Sequence, residues 1–493
     1  MPVVQLTGRT LTPLEVARVA SGEKVMIDAA ARHRMVRNRQ TWSEEPSILV
    51  QKRQYLVGDA VPDEAIVRTF ILGHCTGVGA PLPTGVVRAL IACRANVLLG
   101  GASAVRPELV EAMLELINQD CIPVVPSQGS VGAAGDLAPL AHVARVLCGL
   151  GGPVEGGGSL PAPFAPTHKE ALSLINGATL TSALAGLAVH RTTRLVAALE
   201  AACAMTMEAL GSDAGALHPT ALQLRGHPGG SATGHRISAL LAGSERVKPG
   251  NPPGAFSVRA APAVIGALRD ALAHVELVVG RELNGACDNP LWIDEQVVET
   301  GNFHGAPVAL VLDYLRIAIV QAISQSERRT YRLATGHLTG DLPSFLVEGT
   351  GLNSGLMLAQ YTAASLVSEC KGLAHPAVVD SIPTVQHQED HVSMGPIAGR
   401  LTLRVIEAAA DVVAIEALFA VQALDFRRDG LSFPGGVRTE GAPTTLAPGI
   451  EALHASWRAR VPRWIDDRIM EPTLRASGEL VRRGTLGGRE GPW

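Results

Sequence analysis

Five long runs of small apolar residues constrain the fold of this chain more than any other feature. Within each run, leucine, valine and isoleucine recur at helical spacing, and alanines fill many of the positions between them. Helices that are apolar on more than one face must pack against several neighbours, within the chain or across subunits. Strand signals are scarce, so the sequence predicts an all-α fold, a bundle of long antiparallel helices. The runs cover residues 178–211, 261–283, 305–334, 354–374 and 396–424.

The composition agrees with closely packed helices and excludes several classes of partner. Of the 493 residues, 47 % are hydrophobic and only 3 % are aromatic, which favours a core of alanine, leucine, valine and isoleucine. A net charge of −4 argues against nucleic acids and anionic membranes, because both select basic surfaces. The seven cysteines are widely spaced and form no CxxC pair, so neither a disulfide framework nor a metal site is predicted. We therefore predict a cytoplasmic protein with reduced thiols.

The N-terminal sequence lacks the basic and apolar regions of a secretory signal. Residues 306–323 are strongly apolar, but Asp313 and Arg316 interrupt them. This pattern favours a helix buried inside a bundle over a membrane span. The charged cluster Ser326-Glu327-Arg328-Arg329 predicts a solvated or an interhelical face.

Glycines and prolines dominate residues 149–166, which predicts a surface loop. We divide the chain into an N-terminal helical region of residues 1–175 and a second region of residues 176–493. The second region contains the central long-helix bundle and the C-terminal helices.

The segment 129–142 reads GSVGAAGDLAPLAH and resembles the signature of the histidine and aromatic amino acid ammonia-lyases. In that family an Ala-Ser-Gly triad cyclises into the electrophile 4-methylidene-imidazol-5-one, whose methylidene carbon comes from the serine after its hydroxyl leaves as water. Here the triad positions hold Ala133, Ala134 and Gly135. The methyl group of Ala134 has no leaving group, so we predict that the chain has no such cofactor. Backbone cyclisation without the methylidene carbon remains open, and Ser130 is out of register to replace the serine.

Other segments between residues 60 and 425 are similar to the same family, in the same order. The resemblance implies a helical homotetramer with active sites built from more than one chain. LGHCTGVGAPL places His74 in the substrate pocket, and KEALSLINGATL places Asn176 beside the triad. FSVRAAPAVIG places Phe256 in the pocket and gives Arg259 the role of binding the substrate carboxylate. GNFHGAP contributes Phe303, and the match over 352–394 contains Glu389 at the pocket glutamate position.

Each of these residues also has a structural interpretation. Arg259 can belong to an ion pair, His74 to the core, and Glu389 to a helix start. Asn176 can serve structural hydrogen bonding, and Phe303 can be ordinary core. Cys75 and Cys287 lie inside site motifs, but a buried inert thiol is the simpler interpretation of both.

Several positions depart from the family pattern. The family's catalytic loop, Tyr-Gly-x-x-Thr-Gly-x-Gly, is expected near residues 42–50, which read WSEEPSILV. Trp42 stands about where the base tyrosine belongs, and Tyr55 is out of register. Phe256 replaces a second pocket tyrosine and cannot donate a hydrogen bond, and Ala306 replaces a glutamate or glutamine. Together these changes favour natural divergence over one engineered substitution.

Three functional hypotheses follow. The first is an enzyme that lacks the electrophile and uses acid/base chemistry, in specialised metabolism, on a carboxylate-bearing, amino-acid-like substrate. It assigns catalysis to His74, Glu389 and Asn176, and substrate binding to Arg259 and Phe303. The second is a non-catalytic paralogue that binds a ligand or assembles with an active partner chain. The third is an inactivated or residual histidine or aromatic amino acid ammonia-lyase.

Overall fold

The computed structural model of the chain describes residues 3–42, 62–252, 254–488, 491 and 493. Most of the loop predicted near residues 42–50 lies outside these residues, and so does Tyr55. Trp42 ends a helix, and its ring meets that of Trp292 edge to face at a centroid distance of 5.0 Å.

Helices make up most of the described chain, which confirms the predicted all-α class. The four longest contain 32, 22, 29 and 34 residues and coincide with four of the predicted runs. The helices are α1 (Pro13–Ala20), α2 (Ala29–Thr41), α3 (Asp63–His74), α4 (Thr84–Leu99), α5 (Pro107–Asn118), α6 (Leu137–Leu147), α7 (His168–Ile175), α8 (Thr179–Leu210), α9 (Pro219–Arg225), α10 (Pro228–Leu240), α11 (Phe256–Arg259), α12 (Ala261–Glu282), α13 (Ala306–Ala334), α14 (Gly336–Thr339), α15 (Met357–Leu373), α16 (Gly395–Arg428), α17 (Pro448–Arg458) and α18 (Glu471–Arg482).

The strands of the described residues are short and pair two by two. The β1–β2 pair is parallel and the other four pairs are antiparallel. The strands are β1 (Val3–Leu6), β2 (Lys24–Ile27), β3 (Val78–Pro81), β4 (Ile122–Pro123), β5 (Pro126–Gln128), β6 (Val154–Glu155), β7 (Leu291–Ile293), β8 (Gln296–Val298), β9 (Leu431–Ser432) and β10 (Thr439–Glu440). The pairs are β1–β2, β3–β5, β4–β6, β7–β8 and β9–β10.

The chain divides into two compact units. The first comprises Met1–His190, Val275–Asp313 and Pro376–Arg400, and the second comprises Arg191–His274, Tyr314–His375 and Leu401–Trp493. The predicted division at residues 175 and 176 stays a prediction about domains.

The core of the first unit is centred on α4. This helix is buried at every position from Val86 to Leu99 and packs against α1 and α5. Thr12 begins α1 with a capping box: its hydroxyl accepts the Glu15 N–H, and the Glu15 carboxylate accepts the Thr12 N–H. In the second unit α10 packs against α17, whose Trp457 is fully buried.

By length and composition α13 could cross a membrane, but 61 % of its most apolar window is buried inside the protein. A helix buried to this extent has the property expected of a core helix in a bundle.

Four helix ends of the first unit carry the segments that the sequence singled out. The triad comes directly before α6, and Asn176 ends α7. Phe303 lies just before the start of α13, and Glu389 lies just before the start of α16. Loops between helices often carry binding and catalytic groups, because the helices hold them in place.

Candidate functional site

The triad loop has a backbone that glycine makes possible. Gly132 and Gly135 adopt φ values of +69° and +81°, which other residues rarely adopt. Ala133, between them, is 7 % exposed and packs against Val392 and Met394. Ala134 is half-buried.

Gly135 lies directly against Gly177, across a parallel bridge between the two residues. The Asp136 N–H donates to the Gly177 carbonyl at 2.9 Å. A Cβ placed on Gly135 would come to 2.5 Å from the Gly177 Cα, closer than real side chains approach a backbone. A Cβ on Gly177 would come to 2.5 Å from Nη1 of Arg94. Gly135 is therefore required by the close approach of the two chain segments, and Gly177 by its φ of +139° and by the Arg94 side chain and the Cys287 carbonyl beside it.

Asp136 connects the triad loop to the start of α8. Its carboxylate accepts the Thr181 N–H at 2.8 Å and the Ser130 hydroxyl at 3.1 Å. Burial raises the pKa of Asp136 to about 6, although these hydrogen bonds act in the opposite direction. The Ser130 hydroxyl also accepts the Gly132 N–H at 3.1 Å. Ser130 therefore braces the loop.

Asn176 ends α7 one residue before Gly177, and it is only 7 % exposed. Its side-chain Oδ1 has no hydrogen-bond partner among the described residues. Leaving a buried amide oxygen unpaired costs free energy, so such an atom points to a bound water or ligand.

The segment before α16 closes over the triad loop. The Ser393 hydroxyl donates to the Gly132 carbonyl at 3.0 Å, and the Met394 N–H donates to the Val131 carbonyl at 2.8 Å. Glu389, at the start of this segment, is half-buried and accepts the Thr384 hydroxyl at 2.7 Å.

The segment before α13 also lies beside the triad loop, next to Ser393 and Ala178. A Cβ on Gly305 would lie 3.2 Å from the Ser393 Oγ and 3.3 Å from the Ala178 Cβ. Next to Gly305, His304 stacks on His391 with Nε2 of the first 3.2 Å from Nδ1 of the second. Phe303 is half-buried beside them in sequence.

His74 ends α3 and is half-buried. Its Nδ1 lies 2.7 Å from the Phe70 carbonyl. A carbonyl only accepts, so Nδ1 carries the proton and Nε2 of the neutral ring is left as an acceptor. The chain just after His74 meets the triad segment, because Val78 pairs with Gln128 and the Gly77 N–H donates to Nε2 of His142 at 3.3 Å.

Phe256 and Arg259 lie in the second unit, on the single-turn helix α11. Phe256 is 78 % exposed, and Arg259 is exposed. Both line a cavity of about 310 Å³ together with Leu222, Arg225 and Ala263. Among the described residues the guanidinium of Arg259 forms no ion pair, which leaves its planar fork for a carboxylate ligand.

The structure thus brings the triad, Asn176, Phe303 and Glu389 segments together in the first unit, and it places Phe256 and Arg259 in the second. Sequence reasoning missed the roles of Ser393 and Gly177 and the pairing of His304 with His391. Their only signal was membership of the motifs GNFHGAP, INGATL and QEDHVSM.

The two cysteines of the site motifs do not have the environment of nucleophiles. Burial raises the pKa of Cys287 to about 12, and burial raises the pKa of Cys75 as well. Both side chains are therefore thiols rather than thiolates at neutral pH. The described residues contain no group of three or more histidine, cysteine or acidic side chains that could hold a metal ion.

The methylidene-imidazolone group of the resembled family is only half matched by these residues. The cradle is present, since Gly135 and Gly177 touch and the Asn176 amide oxygen is unpaired. The side chain that must lose a hydroxyl is the methyl group of Ala134. The residues of the triad therefore do not fit this group.

Comparisons with known proteins cover nearly the whole chain. A family model described as aromatic amino acid lyase matches residues 60–459. A histidine ammonia-lyase of Symbiobacterium thermophilum is 40 % identical over 99 % of this chain and 98 % of its own length. One of Deinococcus radiodurans is 42 % identical over 94 % of this chain and 90 % of its own.

Solved structures agree with the sequence matches. The crystal structure of histidine ammonia-lyase from Trypanosoma cruzi superposes with a TM-score of 0.85 at 33 % identity, covering 98 % of this chain and 94 % of that one. Tyrosine aminomutase from Streptomyces globisporus superposes with a TM-score of 0.86 at 30 % identity, covering 98 % of both chains.

These matches correct the first functional hypothesis. The prediction of an acid/base enzyme repurposed for specialised metabolism is wrong, because full-length relatives are histidine ammonia-lyases. Ala134 and the altered segment near residues 42–50 are local changes in a chain that is similar throughout, and they do not indicate new chemistry. The third hypothesis, an inactivated or residual ammonia-lyase, agrees better with the matches.

Proposed function

The chain belongs to the aromatic amino acid lyase family, and we propose that it is a histidine-type ammonia-lyase in an inactivated or residual form. The full-length similarity to histidine ammonia-lyases supports the histidine type. Alanine at position 134 carries the second part of the proposal, because it removes the atom that the family's electrophile requires.

We assign binding of the substrate to groups that the substitution leaves intact, in an active site that the resemblance expects to be built from more than one chain of the homotetramer. Arg259 binds the carboxylate of the amino acid through two parallel N–H donors. Nε2 of His74 accepts a hydrogen bond from a substrate N–H, since Nδ1 is already committed to the Phe70 carbonyl. The free Oδ1 of Asn176 accepts a second one.

We assign Glu389 the role of a carboxylate that attracts the substrate ammonium or imidazolium group, with Thr384 fixing its orientation. Phe256 and Phe303 form apolar walls. Phe256, which replaces the second pocket tyrosine of the family, cannot donate a hydrogen bond and therefore adds no electrostatic stabilisation to the substrate or the transition state.

Elimination of ammonia is difficult without an electrophile. The β-proton of an amino acid is very weakly acidic, and its amine is a poor leaving group. Loss of a central catalytic group costs several powers of ten in rate, at about 1.36 kcal/mol for each factor of ten. We therefore expect the chain to bind histidine and to release ammonia from it at a rate near that of the solution reaction.

Substitution Ala134→Ser tests the proposal. It returns the hydroxyl to a loop whose backbone is already in place, so we expect the intact protein to lose the mass of two waters and to gain near-ultraviolet absorbance. Ammonia release from histidine, but not from phenylalanine or tyrosine, is expected only where another side chain takes the place of the base tyrosine, whose expected position holds Trp42. Ala133→Ser is the matched control, with the same hydroxyl one residue out of register; it is expected to show the full mass that its sequence encodes, with no loss of water, and no change in activity.

Two outcomes contradict the proposal. Turnover of histidine by the unsubstituted chain at the rate of Ala134→Ser would show that the chain is not inactivated. Absence of histidine binding in calorimetry, with the protein folded, would show that the pocket is not of the histidine type.

We also propose that the protein is a cytoplasmic homotetramer. Exposed apolar side chains one turn apart on α13, Tyr314 at 47 % and Ile317 at 46 %, support burial against further copies. Analytical ultracentrifugation measures the assembly directly, and a monomer at micromolar concentration would contradict it.

A further inference from the structure

The segment that carries Arg259 is a single helical turn, separated from α12 by Ala260 alone. Helix α11 contains only the four residues Phe256–Arg259, and helices this short are unstable in isolation. The direction in which the Arg259 side chain leaves the backbone therefore depends on the contacts that other elements make with this turn.

Two side chains of α13 grip it through its carbonyl oxygens. The Arg329 guanidinium donates from Nη1 to the Ser257 carbonyl at 3.1 Å. Gln325, one turn earlier on α13, donates from Nε2 to the Phe256 carbonyl at 3.3 Å. The same Nη1 donates to Oε1 of Gln325 at 3.3 Å, which orients the amide.

The orientation of the Arg329 guanidinium is fixed by the buried carboxylate of Glu416. Arg329 and Glu416 form two parallel hydrogen bonds, Nε to Oε1 at 2.5 Å and Nη2 to Oε2 at 2.7 Å, and both side chains are fully buried. Glu416 also accepts the Thr206 hydroxyl at 3.0 Å and the Ser326 hydroxyl at 2.6 Å. Burial alone would lower the pKa of Arg329, but Glu416 raises it. The guanidinium is therefore always charged and has one orientation.

We propose that Gln325 and Arg329 are positioning residues, which hold the 256–257 turn so that Arg259 presents its guanidinium to the substrate carboxylate. The inference rests on the proposed function, because that function makes Arg259 the carboxylate ligand. Glu416 acts one step further away, through Arg329.

We call Gln325 and Arg329 the clamp. The test compares one variant of each clamp residue with one control variant, all in the full-length chain. Gln325→Leu removes the donor to the Phe256 carbonyl without leaving a buried charge unpaired. Arg329→Lys keeps a cation beside Glu416 but loses the fork that also reaches Ser257. Gln360→Leu is the control: Gln360 donates to Glu327 at 2.9 Å, so the same chemical change is made elsewhere in the second unit.

The first readout is calorimetric affinity for L-histidine and for histamine, which lacks the carboxylate. We expect both clamp variants to bind histidine about ten-fold more weakly and histamine with unchanged affinity, a difference of about 1.4 kcal/mol in binding free energy. The control is expected to change neither affinity. A uniform loss for both ligands, or no loss for histidine, would overturn the proposal.

The second readout needs no ligand. The N–H groups of Val258, Arg259 and Ala260 are hydrogen-bonded within the turn, to the carbonyls of Ala255 and Phe256. We expect faster hydrogen exchange of these amides in both clamp variants and not in the control. If the unsubstituted chain binds neither ligand, the proposed function fails, and this exchange comparison alone decides the clamp. Unchanged exchange in both variants would overturn it.

Discussion

Replacement of Gly135 by alanine is expected to destabilise the first unit far more than an ordinary glycine-to-alanine change. A φ of +81° costs an alanine about 1–2 kcal/mol. The new Cβ would also meet the N, C and Cα atoms of Gly177, the last at 2.5 Å, and backbone atoms cannot rotate aside. Separating the segments breaks the bond from the Asp136 N–H to the Gly177 carbonyl, which contributes about 1 kcal/mol. We therefore expect a total loss of at least about 3 kcal/mol in the free energy of unfolding.

Gly22 provides the matched control for this substitution. It belongs to the same unit and has a φ of +105°, but a Cβ placed on it would meet nothing within 4 Å. Gly22→Ala thus carries the dihedral cost alone, partly offset by about 0.4–1 kcal/mol from the stiffer unfolded chain. Equilibrium unfolding in urea, followed by circular dichroism, compares the two variants. If Gly135→Ala costs no more than Gly22→Ala, the reasoning from the close glycine pair is wrong.

Two further expectations follow from buried ionisable groups of the first unit. Burial raises the folded-state pKa of Asp136 from 3.8 to about 6, so its contribution to stability is fully present below pH 4 and is lost as the pH rises through about 6. This loss is of order 3 kcal/mol. We therefore expect the urea midpoints measured at pH 4 and at pH 7 to differ less in Asp136→Asn than in the unsubstituted protein. An equal difference in both proteins would contradict the assignment to Asp136. Burial raises the pKa of Cys287 to about 12, so a maleimide at pH 8 is expected to label Cys287 only after unfolding, and labelling of the folded protein at that residue, read by peptide mass spectrometry, would refute this.

The long helices could be predicted because their signal is local. The run 305–334 matches α13, Ala306–Ala334, and the run 396–424 lies within α16, Gly395–Arg428. Apolar residues recur at helical spacing in every turn of these runs, so a few positions that break the pattern do not change the prediction of a helix. For the charged cluster 326–329 the sequence predicts a solvated or an interhelical face, and the cluster has both: Arg328 is exposed, whereas Ser326 and Arg329 are fully buried.

The contacts that build the candidate site could not be predicted, because they join residues far apart in sequence. Gly132 and Ser393 are separated by 261 positions, and Ser257 and Arg329 by 72. No periodicity reports such a pair. The motif likeness did single out the segments on which Asn176 and Glu389 lie, but not the unpaired oxygen of the first or the Thr384 partner of the second.

Loss of catalysis and loss of substrate binding differ in how many residues must change. A serine and an alanine at position 134 differ by one oxygen atom, and the backbone around them is held by Gly135 against Gly177, by Asp136 and by Ser393. None of these contacts depends on the side chain of residue 134, so selection for a stable first unit preserves the cradle even where no electrophile forms. Loss of substrate binding would instead require separate changes at Asn176 and at Arg259. We therefore expect binding of histidine to outlast catalysis, which is why restoration of a single hydroxyl is the sharpest test of what this chain was built to do.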